Sequence, residues 1–353
     1  MLSKFKVLSI TLIFTFLLIA CGAPVTATTE EPAMVATEAP ATEEVVEASA
    51  YPVTIAHKYG ETTITEKPER IVLVGLTEQD TLLALGIVPV ATREWYGERP
   101  GAIFEWAQDK LGDATVPEVL PAVELNFEQI AALQPDIIVG LYSGLTEEEY
   151  DTLSKIAPVV AQPAEYVDYG IPWQEVTRTV GLIVGQAERA EELIAEVDAK
   201  FAAAREAHPE FEGATGLVAS TWGYPDNFYA YHSQDPRNRL LTSLGFVIPA
   251  EVDELAQDTF GASISRERLD IVDINAVVWV AFDSAEVETH RNDPLYSKLN
   301  LASQGRDIFL LPDNSLYDAM NFNSVLSLPF VLDNLVPQLA AAVDGDPATV
   351  STK

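Results

Sequence analysis

The chain has 353 residues, and its 54 Asp and Glu against 21 Lys and Arg give a formal net charge of −33. This charge excludes the class of nucleic-acid-binding proteins, which need a basic surface to displace counterions from phosphates. Hydrophobic residues make up 48% and aromatic residues 9% of the chain, which excludes wholesale disorder, and the length predicts two domains or lobes. A single cysteine excludes an intrachain disulfide, a CxxC redox pair and any zinc site that needs two thiolates.

Residues 1–20 have the pattern of a secretory signal peptide. Lys4 and Lys6 give a positive start, and residues 7–19 form an apolar run of the usual length. The only cysteine, Cys21, follows, and the sequence before it resembles a bacterial lipobox, whose cysteine is diacylated and becomes the mature N-terminus. The alternative is an ordinary signal peptide followed by a chance cysteine. We expect Cys21 to anchor an extracytoplasmic protein to the cell membrane, on the periplasmic or cell-surface side.

Residues 21–50 are predicted to form a disordered acidic tether. They are mainly Ala, Thr, Pro and Glu, and they contain neither Lys nor Arg. Large apolar side chains are too few to offset the entropy lost on folding. We interpret the segment as a plain spacer between the lipid anchor and the folded body.

From Tyr51 onward, short apolar runs alternate with helix-like segments. Val53, Ile55 and Ile64 flank a polar turn at residues 58–60, which predicts a small hairpin. The strand, helix and strand pattern that follows is the unit of an α/β layer. Strands are predicted at residues 71–74, 88–91, 136–139 and 159–160, and helices at 78–85, 127–133 and 147–156. The alternation resumes at residues 216–220, 239–244, 266–272, 276–281, 308–311 and 324–339.

One long helix is predicted between the two halves, at residues 187–207. The segment is almost free of helix breakers, its apolar residues have helical spacing, and it would be about 31 Å long. A rod of this length can join two α/β lobes, although a surface helix of one continuous domain has the same periodicity. The predicted divisions are an N-terminal lobe at 51–172, connecting helices at 173–210, a C-terminal lobe at 211–345 and a tail at 346–353.

An internal repeat places one glutamate in each half. Asn126 precedes Glu128 by two residues, and Ser265 precedes Glu267 in the same way, with an apolar strand following each segment. Asn and Ser are residues that cap helices, so each glutamate is expected in the first turn of a helix. The alternative to a functional role is that the helix macrodipole stabilises a glutamate at this position.

The order of these motifs resembles that of the iron-siderophore substrate-binding proteins of ABC importers. The resemblance covers roughly residues 52–345 and implies a class III, helical-backbone periplasmic binding protein fold. In that fold two Rossmann-like lobes are joined by a long rigid helix, the ligand lies in the cleft between them and the hinge moves little. The segments that carry the resemblance are the lipobox, the tether, residues 67–72, 126–139, 172–173, 240–246, 293–296 and 305–306.

The resemblance implies a function in transport and a role for the paired glutamates. Such proteins capture a ferric siderophore and deliver it to an ABC permease dimer with its ATPase. The resemblance also implies that the protein is a monomer and that it is not an enzyme. Glu128 and Glu267 match the positions that dock on arginines of the permease, one glutamate for each permease subunit. Two separated anionic points suit a two-fold partner. Because the siderophore itself coordinates the iron, no protein cofactor or metal ligand is expected.

The ligand-binding residues are predicted where arginines and aromatic residues coincide beyond strand ends. A bulky chelate needs aromatic faces and arginine charge, and the loops after parallel strands line the crevice of an α/β lobe. The predicted contacts are Arg93, Trp95, Tyr96, Tyr142, Trp222, Tyr224, Tyr231, Arg237, Arg239, Phe260, Tyr317 and Asn321.

Several aromatic residues and arginines of the chain also fit a purely structural role. Trp95 and Trp222 could instead be ordinary packing residues. Arg239 could instead pair with a local carboxylate. For Tyr229 and Tyr231 the alternative is that they lie on opposite faces of one strand, of which only one can face the cleft. Trp106, Trp173 and Trp279 are predicted to be structural.

The sequence lacks the motifs that identify several other classes of protein. The sequence contains no GxSxG, GxxxxGK[ST], GxGxxG or HExxH string, so it gives no support to hydrolase, nucleotide-binding or zinc-protease functions. The alternatives that remain open are an enzyme, a receptor for another bulky chelate, such as cobalamin or haem, and a surface lipoprotein with a structural or sensory role and no transport partner.

Overall fold

A computed structural model describes residues 50–349, in which two five-stranded sheets are accompanied by a two-stranded hairpin. The predicted signal peptide, the Cys21 anchor and all of the predicted tether except Ala50 lie outside the described residues, as do residues 350–353 of the predicted tail. Within the described part, none of the helices has both the length and the apolar character needed to cross a membrane.

The N-terminal lobe is built on a parallel sheet with the strand order β5-β4-β3-β6-β7. Strands β3 and β6 are buried along their whole length, which is why their sequences are short apolar runs rather than alternating ones. The strands are β1 Val53–His57 and β2 Gly60–Ile64, which form the predicted hairpin, then β3 Ile71–Leu73, β4 Ala91–Arg93, β5 Glu118–Leu120, β6 Ile137–Gly140 and β7 Val159–Ala161. The helices are α1 Glu78–Ala84, α2 Glu105–Leu111, α3 Phe127–Ala132, α4 Glu147–Leu153 and α5 Trp173–Ile183, with a 3-10 turn at Pro100–Ala102.

The C-terminal lobe has a mixed sheet with the strand order β10-β9-β8-β11-β12. Strands β8, β11 and β12 are parallel, whereas β9 and β10 add an antiparallel edge. The strands are β8 Gly216–Ser220, β9 Asn227–Tyr231, β10 Gly261–Ser265, β11 Ala276–Val280 and β12 Asp307–Leu310. The helices are α7 Pro236–Ser243, α8 Ala250–Ala256, α9 Ser284–Arg291, α10 Asn300–Ser303, α11 Ser315–Phe322 and α12 Ser327–Asp344, with 3-10 segments at Pro209–Phe211, Arg266–Val272 and Tyr296–Lys298.

The predicted long helix is confirmed as α6, Ala187–Ala207, and it lies in the chain between the two sheets. It packs against α5 from the N-terminal side and against α12 from the C-terminal side. Its buried stripe follows the helical spacing of the apolar residues. The buried residues are Ala190, Leu193, Ile194, Val197 and Phe201.

Three parts of the predicted pattern differ from the structure. The strand predicted at residues 88–91 lies instead at Ala91–Arg93, because Pro89 has no N–H to donate to a sheet. The second repeat segment is a 3-10 helix interrupted at Arg268, whose backbone angles (φ −104°, ψ 30°) are not helical. Strands β9 and β10 were not predicted as a pair, because the edge strand β10 consists mainly of small and polar residues and has no apolar run to indicate a strand beside the buried β9.

The two lobes meet at a buried junction formed by α11 and the residues that follow it. The ring of Phe322 lies 4.4 Å from that of Phe104 and 5.3 Å from that of Trp106, centroid to centroid. The guanidinium of Arg99 donates to the Asp318 carboxylate at 2.7 Å. These contacts unite the two sheets into one body on the side that α11 covers.

Asp80 lies at this junction with no exposed surface. Its carboxylate accepts hydrogen bonds from the Ser324 hydroxyl and, at 2.7 Å, from the Trp106 indole N–H. Burial raises the pKa of Asp80 from 3.8 to about 6, although the two hydrogen bonds oppose the shift. The ionised form is therefore less stable in the folded protein than in the unfolded chain.

Asp80 should make the free energy of unfolding fall as the pH rises. Between pH 4 and 6 the folded protein keeps the Asp80 proton, whereas the unfolded chain has lost it. The stability of the folded state is therefore highest below pH 4 with respect to this group, and it falls as the pH rises through 6. The total loss in the free energy of unfolding is on the order of 3 kcal/mol. Urea unfolding at several pH values should show a shallower decline over this range for Asp80→Asn than for the wild type. The exposed Asp151→Asn variant is the control and should keep the wild-type slope; an equal slope in all three proteins would contradict the prediction.

Candidate functional site

A cleft of about 460 Å³ lies between the two sheets, and both lobes contribute to its lining. Most of its residues lie at or just after the carboxyl ends of strands, as expected for a ligand site in an α/β sheet. The N-terminal lobe contributes Leu76, Arg93, Trp95, Ala122, Tyr142 and Tyr169, and the C-terminal lobe contributes Trp222, Tyr229, Tyr231, Arg237 and Phe260. Two other concavities in residues 50–349 are formed by the N-terminal lobe alone and contribute one aromatic side chain between them, Phe127.

A continuous series of aromatic rings crosses the cleft from one lobe to the other. Tyr142 lies 5.9 Å from Trp95 and 5.6 Å from Tyr169, between ring centroids. Tyr169 is 6.1 Å from Phe260, which in turn is 5.6 Å from Tyr229. Such a lining offers flat apolar faces to a large ligand.

Trp222 stands at the edge of this aromatic series, with 61% of its surface exposed. Its ring lies 5.4 Å from that of Tyr229. Apolar surface that is continuous with a binding groove is typical of a ligand site. Trp222 is therefore positioned to lie against a ligand held in the cleft.

Tyr229 and Tyr231 both line the cleft, so the alternative that they lie on opposite faces of the strand is wrong. Side chains alternate along a strand, and residues two positions apart therefore share a face. The two rings are 5.4 Å apart on β9. The error removed Tyr229 from the predicted contacts.

Arg237 is a buried cation whose charge is balanced within the protein. Its guanidinium donates to both carboxylate oxygens of Asp235, at 2.8 and 2.7 Å, and to the Asn321 side chain at 3.0 Å. It also lies 3.6 Å above the ring of Tyr231. The side chains of Arg237 and Asp235 are 9% and 0% exposed, so the pair forms part of the cleft wall rather than a mobile charge.

Arg93 presents a second guanidinium to the cleft without a carboxylate partner. It donates to the carbonyl oxygens of Val74, Ala122 and Val123 at 3.2, 3.0 and 3.4 Å. No carboxylate of residues 50–349 lies within 4 Å of its charged nitrogens. Its charge is therefore available to a ligand, although the side chain is half-buried.

The hydroxyls of Tyr142, Tyr229 and Tyr231 in the cleft stay protonated at neutral pH. Burial raises the pKa of Tyr142 and Tyr231 above the usual value and raises that of Tyr229 to about 12. Each hydroxyl can donate a hydrogen bond to a ligand oxygen or accept one. The cleft thus combines neutral donors with aromatic faces.

Five of the predicted contacts lie outside the cleft lining. Tyr96 and Tyr317 pack against each other near the lobe junction, at 6.1 Å between ring centroids, and Asn321 supports Arg237 from behind. Tyr224 donates to Asp293 at 2.6 Å, and Arg239 donates to the carbonyl oxygens of Gln234 and Gly170 rather than to a carboxylate.

Four lining residues were absent from the predicted contacts. Leu76 and Ala122 are apolar residues in loops, where composition gives no signal of ligand binding. Tyr169 has a left-handed backbone (φ 61°) in an irregular segment after β7, so no strand end precedes it directly. Of these four residues, only Tyr229 could have been predicted from the sequence, because it lies two positions from Tyr231 on β9 and therefore shares its face.

Glu128 and Glu267 are both exposed, one on each lobe. The Asn126 side chain accepts from the N–H of Gln129 at 3.0 Å, and Ser265 accepts from that of Glu267 at 3.3 Å, so the predicted caps are present. Within residues 50–349, neither glutamate forms an ion pair. Both carboxylates are therefore free to meet a partner.

The fold and cleft together define a class of protein. Two α/β lobes joined by a long helix, with a ligand-sized aromatic cleft between them, form a bilobed solute-binding protein. The sequence matches the family model described as periplasmic binding protein over residues 71–314. The chain belongs to this family, whose members are solute-binding transport proteins, and its fold is the predicted class III form.

Three relatives match most of the chain. The ferric-anguibactin-binding protein FatB of Vibrio anguillarum is 24% identical over 329 residues, 90% of this chain and 95% of that protein. A periplasmic solute-binding protein of Mycobacterium smegmatis is 34% identical with a TM-score of 0.71, and the match covers 82% of this chain and 98% of that one. The structure of Streptococcus pneumoniae PiaA in complex with ferrichrome is 28% identical with a TM-score of 0.72, covering 83% and 99%.

Proposed function

We propose that this protein captures a ferric siderophore in the cleft between its lobes and delivers it to an ABC permease. The observation that carries the proposal is the aromatic series that crosses the cleft beside neutral tyrosine hydroxyls and Arg93, which has no carboxylate partner among residues 50–349. A siderophore encloses its iron, so its binding site needs surfaces and hydrogen-bond donors rather than metal ligands. The relatives support the same ligand class, because one is named for ferric anguibactin and another was crystallised with ferrichrome.

Delivery requires a docking surface for a two-fold permease and its ATPase. Glu128 and Glu267 meet this requirement as exposed anionic points on separate lobes. In the proposed function the protein acts as a monomer and binds the chelate without changing it. It has no cofactor of its own. Lipid on Cys21 holds it at the outer face of the membrane.

Tryptophan fluorescence tests the proposed ligand, because Trp95 and Trp222 both line the cleft. Titration with ferric hydroxamates, ferric catecholates, ferric citrate, haem and cobalamin should quench the emission with at least one ferric chelate, saturating at one equivalent. The Trp222→Phe variant should lose part of the quench and keep a similar stoichiometry. Selective quenching by haem or cobalamin would favour a receptor for another chelate, and no response to any compound would favour a surface lipoprotein outside transport.

A further inference from the structure

We propose that the cleft selects a ferric complex of the hydroxamate type, neutral or with one negative charge, over a triply negative complex of the catecholate type. The inference rests on the proposed function and deepens it by naming the class of chelate. Three hydroxamates, each a monoanion, neutralise Fe³⁺, whereas three catecholates, each a dianion, leave three negative charges on the complex. The charges that line the cleft therefore decide between the two classes.

The lining contains two charged side chains, Arg93 and Arg237. Arg237 forms a two-bond ion pair with Asp235, and both side chains are at least nine-tenths buried. The pair therefore adds no net charge to the cleft. Arg93, which donates to backbone carbonyl oxygens, therefore remains as the one net positive charge that residues 50–349 contribute to the lining.

Two other arginines, Arg239 and Arg99, lie outside the cleft lining. Arg239 is held by the carbonyl oxygens of Gln234 and Gly170, outside the lining, and Arg99 is paired with Asp318. The formal charge of the whole chain is −33, so the protein exerts no net long-range attraction on a polyanion, and charges more than a Debye length of about 8 Å from the cleft are screened at physiological salt. A triply negative complex would therefore lose its hydration and meet too little positive charge to replace it.

The remaining polar groups of the lining suit a neutral complex. The hydroxyls of Tyr142, Tyr229 and Tyr231 are donors without charge, held above their usual pKa by burial. Such donors match the carbonyl and hydroxamate oxygens at the surface of a neutral chelate. The aromatic faces cover its apolar backbone.

Affinity measurements with chelates of different charge test this inference. Ferrichrome (neutral) should bind the wild-type protein at least about tenfold more tightly than ferric enterobactin (triply negative), as followed by tryptophan quenching at constant ionic strength. Ferrioxamine B, a hydroxamate complex with one positive charge, separates the effect of charge from that of the ligating group. It should bind more tightly than ferric enterobactin in spite of the arginine.

Two variants change the charge of the cleft without touching its buried pair. Arg93→Gln should weaken binding of a singly negative ferric hydroxamate several-fold more than binding of ferrichrome. Trp222→Arg adds a cation at an exposed position of the lining and should improve binding of ferric enterobactin relative to Trp222→Ala, which serves as the matched control.

The outcomes separate this inference from the proposed function. Tighter binding of ferric enterobactin than of ferrichrome would overturn the hydroxamate class while leaving a siderophore receptor in place. Failure of every ferric chelate to bind would overturn the proposed function itself. Equal effects of Arg93→Gln on charged and neutral hydroxamates would assign Arg93 to packing and remove the charge argument.

Discussion

Replacing Glu128 and Glu267 together by alanine is expected to abolish permease-dependent uptake of the chelate while changing its affinity by less than about twofold. Both carboxylates are exposed and lie on different lobes, so their removal takes away two charge-assisted contacts with a partner but none with a ligand in the cleft. Uptake of labelled chelate by cells and the dissociation constant of the purified variant measure the two effects separately.

Matched acidic residues provide the control for this docking prediction. Glu148 and Glu254 are also exposed glutamates, one on each lobe, but they lie outside the repeated segments. The Glu148→Ala and Glu254→Ala double variant should keep wild-type uptake. Normal uptake by the Glu128→Ala and Glu267→Ala protein, or a large loss of its ligand affinity, would refute the assignment of these glutamates to docking.

Asp235→Ala is expected to lower the free energy of unfolding by about 3–5 kcal/mol, because it leaves the buried guanidinium of Arg237 without its counter-charge. The change also removes the cap that Asp235 provides to the N–H of Arg237 at the start of α7. Urea unfolding at neutral pH measures the loss. Glu192→Ala, which breaks the solvent-exposed pair with Arg189, should leave the unfolding midpoint unchanged.

A rescue variant distinguishes charge burial from the loss of a cap. Asp235→Ala combined with Arg237→Met removes the stranded cation along with its partner and should recover a substantial part of the stability. If the double variant is as unstable as Asp235→Ala alone, the cap and local packing, rather than the unpaired charge, hold this part of the cleft wall.

The elements best predicted from the sequence were those whose pattern is local. The helix at Ala187–Ala207 and the strand at Gly216–Ser220 carry their periodicity or apolar run within one segment, and both bounds agree with the structure. The strand at Ala91–Arg93 was displaced because the effect of Pro89 on hydrogen bonding outweighs the apolar run around it. The antiparallel edge strands depend on pairing with each other, which no single segment records.

The cleft was predicted in part, because its residues follow strand ends but its pairings are long-range. Trp95, Tyr142 and Trp222 could be located from the strands that precede them. Asn321 and Tyr224 were predicted to contact the ligand, but they hydrogen-bond to Arg237 and Asp293 instead. Each of these bonds joins segments that are far apart in the chain, so the sequence does not reveal it. Side-chain direction in irregular segments, as at Tyr169, is likewise set by the tertiary fold.

Swinging the lobes widely apart would separate Phe322 from Phe104 and break the ion pair between Arg99 and Asp318. Because these groups are largely buried, the empty protein should keep its binding surface in the shape that receives the ligand. Small-angle X-ray scattering should then give the same radius of gyration with and without chelate. Association should also proceed in a single kinetic phase, with a rate proportional to chelate concentration.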